Sequence, residues 1–473
     1  MTTEDKISYF DKQAAGRVKK RRKNAFYWND ITCYCNYFAH EDYSVLEVGC
    51  GTGELLNELK GKNKVGIDFS PAMIEIANRQ FPDLEFHVMK AEELSLSKKF
   101  DVVILSNLIG YLDDIESVFK QLHKVSHSRT KIIVSYYNFL WEPLLNFGEL
   151  TGLKTSTPKQ NWLTLKDINN LLYLAGFDVY HNSRRMLIPF YIPLLSGLVN
   201  LFLANLPVFR LFCLNHFAFA KPAAINNSSE WEKQYSTTVL VPARNENGNI
   251  ENIFCRLPKF GKHVELIFVE GHSTDGTWEK IQEMQKKYSS DYDVKSIQQE
   301  GDGKADAVRK GLNLATGDIL MILDADLSVP PEDLPKFYNA IASGKGEFIN
   351  GSRLVYPMEK EAMRFLNFLG NKFFSALLSW LLDQRFNDTF CGTKVLFRED
   401  YLRLMKNRKF FGELDPFGDF DLIFGAHKLN LKIVEIPVRY RERTYGKSNI
   451  SRFKHGVILL RMCLFAARRI KFI

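Results

Sequence analysis

The chain has 473 residues, 45% hydrophobic and 25% charged, a balance that suits globular cores in two or three domains and argues against a chain dominated by disorder. Its net charge of +8 is concentrated in "GRVKKRRKN" (Gly16 to Asn24) and in the last 23 residues, but no recognition motif accompanies the charge, so nucleic-acid binding is not expected. Seven scattered cysteines, with only Cys33 and Cys35 close together and no further Cys/His pair, argue against a disulfide framework or structural zinc and point to a reducing, cytosolic compartment.

In chain order, "MTTEDKISYF" carries acids and no apolar run, so it does not read as a secretory signal. "YSVLEVGCGTG" follows as an apolar strand running into a glycine turn, with a helix near Leu55, a strand "KVGIDFS" and a helix from Pro71. "LEFHVMKAEEL", "FDVVILSNLIGYL" and "KIIVSYYN" continue the alternation, which predicts a parallel doubly wound sheet. Glycines at 49, 51 and 53 let the backbone turn tightly and approach a ligand with no Cβ in the way. Asp68 lies 19 residues beyond Gly49 at the end of the next strand, where a carboxylate can grip a ribose hydroxyl pair. The spacing is E-x-G-x-G-x-G, not the G-x-G-x-x-G of a dinucleotide site.

This half resembles class I S-adenosylmethionine-dependent methyltransferases over about residues 26 to 221, through "LEVGCGTG", "GIDFSPAMIEIA", "KAEEL" and "FDVVILSNLIGYL". The resemblance implies a Rossmann-like fold with Glu47, Gly49, Gly51 and Gly53 under the methionine moiety and Asp68 on the ribose. It places adenine near Phe69, Ala91 and Glu92, and the methyl group near Ser106 and Asn107. Methyl transfer from a sulfonium rests largely on positioning, so no catalytic base is required of the sequence. Tyr111, Trp141, Asn161 and Trp162 are candidate acceptor contacts and equally candidate core. A fold of this type that only docks its neighbour, without catalysis, is the alternative.

Leu187 to Phe209, "LIPFYIPLLSGLVNLFLANLPVF", is an uncharged tract of 23 residues, long enough to cross a bilayer. Pro189, Pro193 and Pro207 interrupt it and Asn200 and Asn205 are polar, so a helical pair packed on the core or dipping into one leaflet is expected instead. "HFAFAKP" then reads as the last strand of a domain spanning 1–225, and the Asn- and Ser-rich stretch 226–236 as a linker.

Residues 237–473 restart the alternation with "TVLVPARNE", "VELIFVEGHSTDGT" and "DILMILDADLSVPP". In the last of these, five apolar residues run directly into Asp324 and Asp326. Such a strand is buried on both faces, and two carboxylates at its end repel unless a cation sits between them. Mg²⁺ or Mn²⁺, hard ions that take oxygen ligands and share them with substrate phosphates, suit the pair. Pro242 and Glu246, Glu270 and Asp275 follow neighbouring strands and face the crevice outside their carboxyl ends. Gly303, Lys304 and Asp306 open a helix, a plausible diphosphate or base contact.

Together these residues resemble the inverting family 2 glycosyltransferases with a GT-A fold, and within them the dolichol- or polyprenyl-phosphate sugar synthases. The resemblance covers about residues 236 to 455 through "VPARNE", "EGHSTDGT", "GKADAVRKG", "DADLSVPP", "NGSR", "FCGTKVLFRED" and "EIPVRYRERTYGKSN". It implies Asp324 and Asp326 as metal ligands and catalytic residues, and Pro242, Glu246, Asp275 and Lys304 as contacts to a GDP- or UDP-linked sugar. It also implies Arg353, Arg364 and Arg443 as phosphate-gripping arginines, since guanidinium forks bind such oxygens bidentately. The sequence departs from the family pattern at Arg244, Glu270-Gly271, Ser328 and Asn449, which leaves donor base and sugar open. A polyprenyl phosphate acceptor, or a lipid-linked glycan, is expected. A saccharide hydroxyl is the alternative, and it needs a base, for which Asp421 in "FGDFDLIF" is the candidate over Asp419.

Phe365, Phe368, Leu369, Phe373, Leu377 and Trp380 recur at helical spacing, which suits either a bilayer-facing helix or core. The carboxy-terminal segment interleaves Arg452, Lys454, Arg461, Arg468, Arg469 and Lys471 with Phe453, Ile458, Leu459, Met462, Phe465 and Ile470, a pattern for a basic amphipathic helix on anionic lipid or an ordinary terminal helix. His427 and His455 read as structural. The expectation is a cytoplasmic bifunctional enzyme, peripheral on the inner face of a membrane, with S-adenosylmethionine and a divalent ion as cofactors.

Overall fold

A computed structural model describes residues 3–151, 154, 157–158, 160–224, 234–354, 365–406, 415, 418–441, 443, 445 and 452–472. Arg364, Asn449 and residues 226–233 of the expected linker lie outside the described residues, as do the side chains of Phe365, Phe368, Arg452, Phe453, Lys454 and His455. The chain divides into two compact units, Met1–Ala223 and Ala224–Lys471.

The first unit has strands β1 (Ser44–Val48), β2 (Lys62–Asp68), β3 (Glu85–Val88), β4 (Phe100–Ser106), β5 (Ser126–Tyr137), β6 (Phe177–Arg185) and β7 (Asn215–Pro222). Its helices are α1 (Thr3–Lys23), α2 (Ala25–Phe38), α3 (Glu54–Glu58), α4 (Pro71–Gln80), α5 (Ile115–Gln121), α6 (Glu142–Leu150), α7 (Leu165–Leu174) and α8 (Leu195–Leu201). Strand order is β3-β2-β1-β4-β5-β7-β6. The five strands β3 to β5 run parallel, with Leu46 opposite Val65 on one side and Val103 on the other. The strand "HFAFAKP" forms as expected, but β7 runs antiparallel between β5 and β6, so the sheet is mixed and not wholly parallel. The reason is local: β7 enters its slot straight from the apolar tract that follows β6 and needs no crossover helix.

Val45, Leu46, Val48, Val102, Val103 and Ile104 are all at most 1% exposed, as strands covered on both faces require. Helices start where the sequence supplies caps. Ser70 Oγ accepts from Met73 N with Pro71 in the first turn, and Thr164 with Asp167 closes a capping box on α7. Among the described residues, no helix is long and apolar enough to cross a membrane. The 187–209 tract instead breaks into turns and the two-turn α8, with Asn200 accepting from Leu187 N and Ile188 N and donating to Ile188 O. Much of the tract faces outward: Phe190, Leu194, Leu198, Val208 and Phe212 are more than half exposed.

The second unit has β8 (Ser236–Ala243), β9 (His263–Glu270), β10 (Asp293–Gln298), β11 (Ile319–Ile322), β12 (Phe348–Ser352), β13 (Lys394–Phe397) and β14 (Ile433–Pro437), in the order β10-β9-β8-β11-β13-β12-β14. Its helices are α9 (Asn247–Arg256), α10 (Thr277–Lys287), α11 (Lys304–Leu314), α12 (Leu334–Ala342), α13 (Phe365–Leu382), α14 (Arg398–Lys406), α15 (Asp419–Lys428) and α16 (Arg452–Ile470). β10, β9, β8 and β11 are parallel, and β13 is antiparallel to both β11 and β12. In both sheets the order reverses beside the first strand of the unit, between β1 and β4 and between β8 and β11, which opens a crevice at the carboxyl ends.

α13 and α16 pack together, and α16 uses Leu459, Met462, Cys463, Ala466 and Ile470 as its buried stripe. Leu459, Met462 and Ile470 are therefore core, as the ordinary terminal helix of the two sequence readings expects. Among the described side chains, Val457, Leu460 and Leu464 are exposed apolar residues of that helix, and Leu369 and Phe373 of α13.

Candidate functional sites

In the first unit the loop after β1 carries three glycines at positive φ, +78°, +56° and +83° at positions 49, 51 and 53. A Cβ at Gly49 would fall 2.8 Å from the Leu108 side chain, and one at Gly53 2.7 Å from Phe86. Backbone conformation and close approach thus both demand glycine. Asp68 closes the loop from β2, its Oδ2 accepting from Gly51 N (2.8 Å) and its Oδ1 from Ser70 N (3.0 Å). Burial pushes the Asp68 carboxyl up, while these backbone donors pull it down.

Glu47, one residue before the end of β1, is 3% exposed, and its Oε2 has no hydrogen-bond partner among the described residues. Burial lifts its carboxyl to about 8, against the pull of Arg21 and Arg17. A buried carboxyl with one orphaned oxygen beside a glycine cradle fits a ligand that brings a cation, as the amino-acid end of S-adenosylmethionine does.

Ser106 Oγ accepts from Ser135 Oγ at 3.1 Å, and Asn107, at φ +53°, donates from Nδ2 to Tyr27 Oη at 2.9 Å. Phe69 stands against Phe10, while Ala91 and Glu92 form a single 3₁₀ turn, Ala91 buried and Glu92 half-buried. Of the acceptor candidates, Asn161 spends its amide on Leu112 O and Trp141 its indole N–H on Phe212 O. Tyr111 accepts from Gln160 Nε2, and Trp162 lies near Tyr136. Tyr27, Arg17 and the α1 helix escaped the sequence reading because their tie to the cleft is tertiary.

In the second unit, Lys304 at the start of α11 donates to Asp324 Oδ1 (2.7 Å) and lies 3.6 Å from Asp419 Oδ2. Burial lowers the Lys304 pKa, but the two acids outweigh it and the ammonium is held charged. Burial likewise raises Asp324, and Lys304 with Lys394 and Arg353 brings it net below the usual range. Arg443 bridges Asp326 Oδ2 (2.6 Å) and Glu246 Oε1 (3.3 Å). Glu246 also accepts from Asn249, and burial raises its carboxyl to about 7 despite Arg443. Asp275 accepts from Asn247 N, Thr277 N and Tyr445 Oη. Pro242 lies within β8, one residue before its end.

The structure thus brings Asp324, Asp326, Lys304, Glu246, Asp275 and Arg443 to one strand-end crevice. Arg353 is engaged differently: its Nε and Nη2 form a buried fork to Asp388 at 2.7 and 2.9 Å, stacked on Tyr440. Two of the donors expected to grip phosphate are therefore committed within the protein. Asp419, not Asp421, is the acid beside Lys304, because residues two apart on a helix point to different sides. Asp419 Oδ1 is buried with no partner among the described residues, and burial raises its carboxyl. Glu270 and Asp306 turn inward, accepting from Gln298 and from Gly301 N respectively. Lys394 and Gly392 were missed from sequence; a Cβ at Gly392 would fall 1.9 Å from Asp324 Oδ2.

The oxygen-only chemistry of Asp324 and Asp326 fits a hard divalent ion, though no set of three or more His, Cys, Asp or Glu side chains converges on one point among the described residues. Protein ligands alone would leave positions for substrate oxygens.

The chain is thus made of two α/β domains, one built on a glycine loop and the other on an acid-ended strand ringed by cations. Comparison with known families gives each domain its family. Residues 12–182 match the model "Methyltransferase domain" and residues 238–409 the model "Glycosyl transferase family 2". The chain carries a methyltransferase domain followed by a family 2 glycosyltransferase domain.

A dolichol-phosphate mannosyltransferase of Pyrococcus furiosus is 40% identical over 121 residues, 25% of this chain and 33% of that protein. An undecaprenyl-phosphate 4-deoxy-4-formamido-L-arabinose transferase of Edwardsiella ictaluri is 24% identical over 238 residues, 49% of this chain and 66% of that protein. The matched segment thus spans about a third of the length of the Pyrococcus relative. A solved SAM-dependent methyltransferase of Thermotoga maritima is 16% identical, covers 45% of this chain and 98% of its own, and superposes with a TM-score of 0.36.

Proposed function

We propose that the second domain, within 237–473, transfers a sugar from a nucleoside diphosphate to a polyprenyl phosphate or lipid-linked glycan. The first, within 1–225, transfers a methyl group from S-adenosylmethionine, and 226–236 joins them. The observation that carries the sugar-transfer reading is the pairing of each strand-end acid with a cation, Asp324 with Lys304 and Asp326 with Arg443. Such a site holds excess positive charge for a diphosphate only when another cation takes over the acids.

A divalent ion held by Asp324 and Asp326 would supply the charge that binds the diphosphate and eases its departure. Lys304 and Arg443, released from the acids, orient the phosphates through charge-assisted hydrogen bonds, and Arg443 ties this response to Glu246. A phosphate acceptor is already an anion and needs no base from the chain. The two relatives, named as dolichol-phosphate and undecaprenyl-phosphate transferases, support that acceptor class. Exposed apolar residues on α6, α8, α13 and α16 support a peripheral site of action on a membrane surface, for which the cytoplasmic face is proposed.

The test is incubation of the protein with a panel of nucleotide sugars, Mg²⁺ and polyprenyl phosphate in lipid, products being read by mass. A glycosylated lipid phosphate is expected, and its formation should disappear in excess chelator and in Asp326→Asn. Undiminished transfer under either condition would remove the metal-clamp reading.

A second reading, transfer to a saccharide hydroxyl, is favoured by one observation: Asp419 is a buried acid with an orphaned oxygen beside the metal pair. Asp419→Asn and Asp421→Asn decide. Loss of turnover with a hydroxyl acceptor in either variant supports a base, and retained transfer to lipid phosphate in both supports the primary reading.

A further inference from the structure

The amino-terminal helix lies well ahead of the glycine loop in sequence, yet it is tied to both walls of the cofactor crevice. Lys6, at one end, donates to Tyr111 O (3.0 Å) and to Asp113 Oδ1 (2.5 Å) after β4. Asp11 accepts from Ser70 Oγ (2.5 Å) and Ala72 N (3.2 Å) after β2. Phe10 packs edge-on against Phe69 and Tyr111, at 5.5 and 5.3 Å between ring centroids. Since β1 lies between β2 and β4, α1 straps across the carboxyl end of β1, where the glycine loop begins.

Lys6, Phe10, Ala14, Arg17 and Arg21 recur every three or four residues and so share one face of the helix. Ala14, 1% exposed, seats that face. Arg21 is committed, to Glu58 at 2.7 Å and to the Trp28 ring at 4.7 Å. Arg17 is not. It makes no hydrogen bond or ion pair among the described residues, and its guanidinium lies flat on the glycine loop, so that a Cβ at Gly51 would meet Nε at 2.7 Å and Cζ at 3.0 Å. Its charge is felt at Glu47, Cys50, Asp68 and Tyr111 alike, four groups lining the same crevice.

A guanidinium with no hydrogen bond or ion pair among the described residues and a buried carboxyl with one orphaned oxygen line the same crevice. An α-amino acid carries the mirror image of that pair, a carboxylate and an ammonium on one carbon. We infer that Arg17 binds the α-carboxylate of the amino-acid tail of the methyl donor while Glu47 receives its α-ammonium, which makes α1 part of the cofactor site. This inference rests on the reading of the first domain as an S-adenosylmethionine site and adds residues to it. It also explains why the glycine loop must stay free of a side chain at 51: a Cβ there would push the guanidinium off the loop.

Binding of S-adenosylhomocysteine to the full chain, measured by calorimetry beside 5′-methylthioadenosine, tests it, because the second ligand keeps the nucleoside and thioether and lacks the amino-acid tail. Arg17→Gln should weaken S-adenosylhomocysteine roughly 10- to 100-fold, the worth of a charge-assisted fork, and leave methylthioadenosine unchanged. Arg17→Lys should recover part of the loss, and unchanged melting of the unliganded variants would show that α1 remains seated. Equal weakening of both ligands would mean that Arg17 only holds the helix, and an unchanged affinity for S-adenosylhomocysteine would mean that it plays no part; either overturns the inference and leaves the domain's reading intact. Absence of any S-adenosylhomocysteine binding by the unaltered chain overturns that reading and the inference with it.

Discussion

Gly392 stands where it does because Asp324 fills the space a side chain would need, its Oδ2 only 1.9 Å from the Cβ position. Gly392→Ala must displace the carboxylate or the β13 approach. A shift of about 1 Å in a reacting group costs on the order of 10²-fold in rate. Sugar transfer is therefore expected to fall by about that factor, while overpacking costs the fold only about 1–3 kcal/mol. Turnover and thermal melting measured together check it, and undiminished turnover would show that Asp324 need not stay where it is. Glu47 gives a pH prediction of definite sign. Its carboxyl is raised from 4.5 to about 8 by burial, so the folded chain holds a proton that the unfolded chain has lost across that window. Stability from this group is thus full below pH 4.5 and falls as pH rises through about 8, by roughly 5 kcal/mol at one unit per 1.36 kcal/mol. Glu47→Gln, neutral throughout, should flatten the fall in melting temperature between pH 5 and 9 in the unliganded protein. Parallel curves for the two proteins would remove the burial account.

At the scale of elements, what could be read from sequence was what local pattern determines. Ile319 to Leu323 followed by Asp324 and Asp326 identifies a buried strand with acids at its end, and Glu47 to Gly53 identifies a strand, a glycine turn and a helix, because each needs only neighbours in the chain. The slot of β7 between β5 and β6, the strap formed by α1 and the choice of Asp419 over Asp421 beside Lys304 depend on distant partners, which periodicity does not report. The basic run 16–24 shows the difference well: as composition it suggests a solvated charge cluster, whereas Arg17 and Arg21 face the domain and leave only part of the run to solvent. The apolar helices carry their own test. α13 and α16 bury one stripe against each other and still expose Phe373 at 57% and Leu464 at 59%, residues with no core to join. Phe373→Glu with Leu464→Glu should reduce co-sedimentation with anionic vesicles at least several-fold, since each exchanges membrane-inserting apolar area for charge. Release of nucleoside diphosphate from the soluble donor should persist, as neither residue lies at the strand-end crevice. Vesicle binding unaffected by the pair would assign that face to a protein neighbour instead.

For the whole molecule, each domain closes its own core. One buried cluster runs from Leu46 to Ala220 and another from Val239 to Val438, with no residue shared. Neither sheet borrows a strand, so nothing in the described cores requires one domain for the other to fold. Chains divided between residues 224 and 234 should therefore give two folded pieces, the first binding S-adenosylhomocysteine and the second transferring sugar, each with constants within about threefold of the intact chain, as additivity of independent sites implies. If folding does not require the fusion, the reason for it lies in substrate traffic. A tether holds the second site at an effective concentration in the millimolar range for a lipid-linked product released from the first. With both enzyme halves well below micromolar and the lipid acceptor limiting, the intact chain should form doubly modified product faster than the mixed pieces, and the advantage should vanish as the pieces are concentrated. Equal yields at every concentration would show that the two transferases do not act in sequence on one lipid.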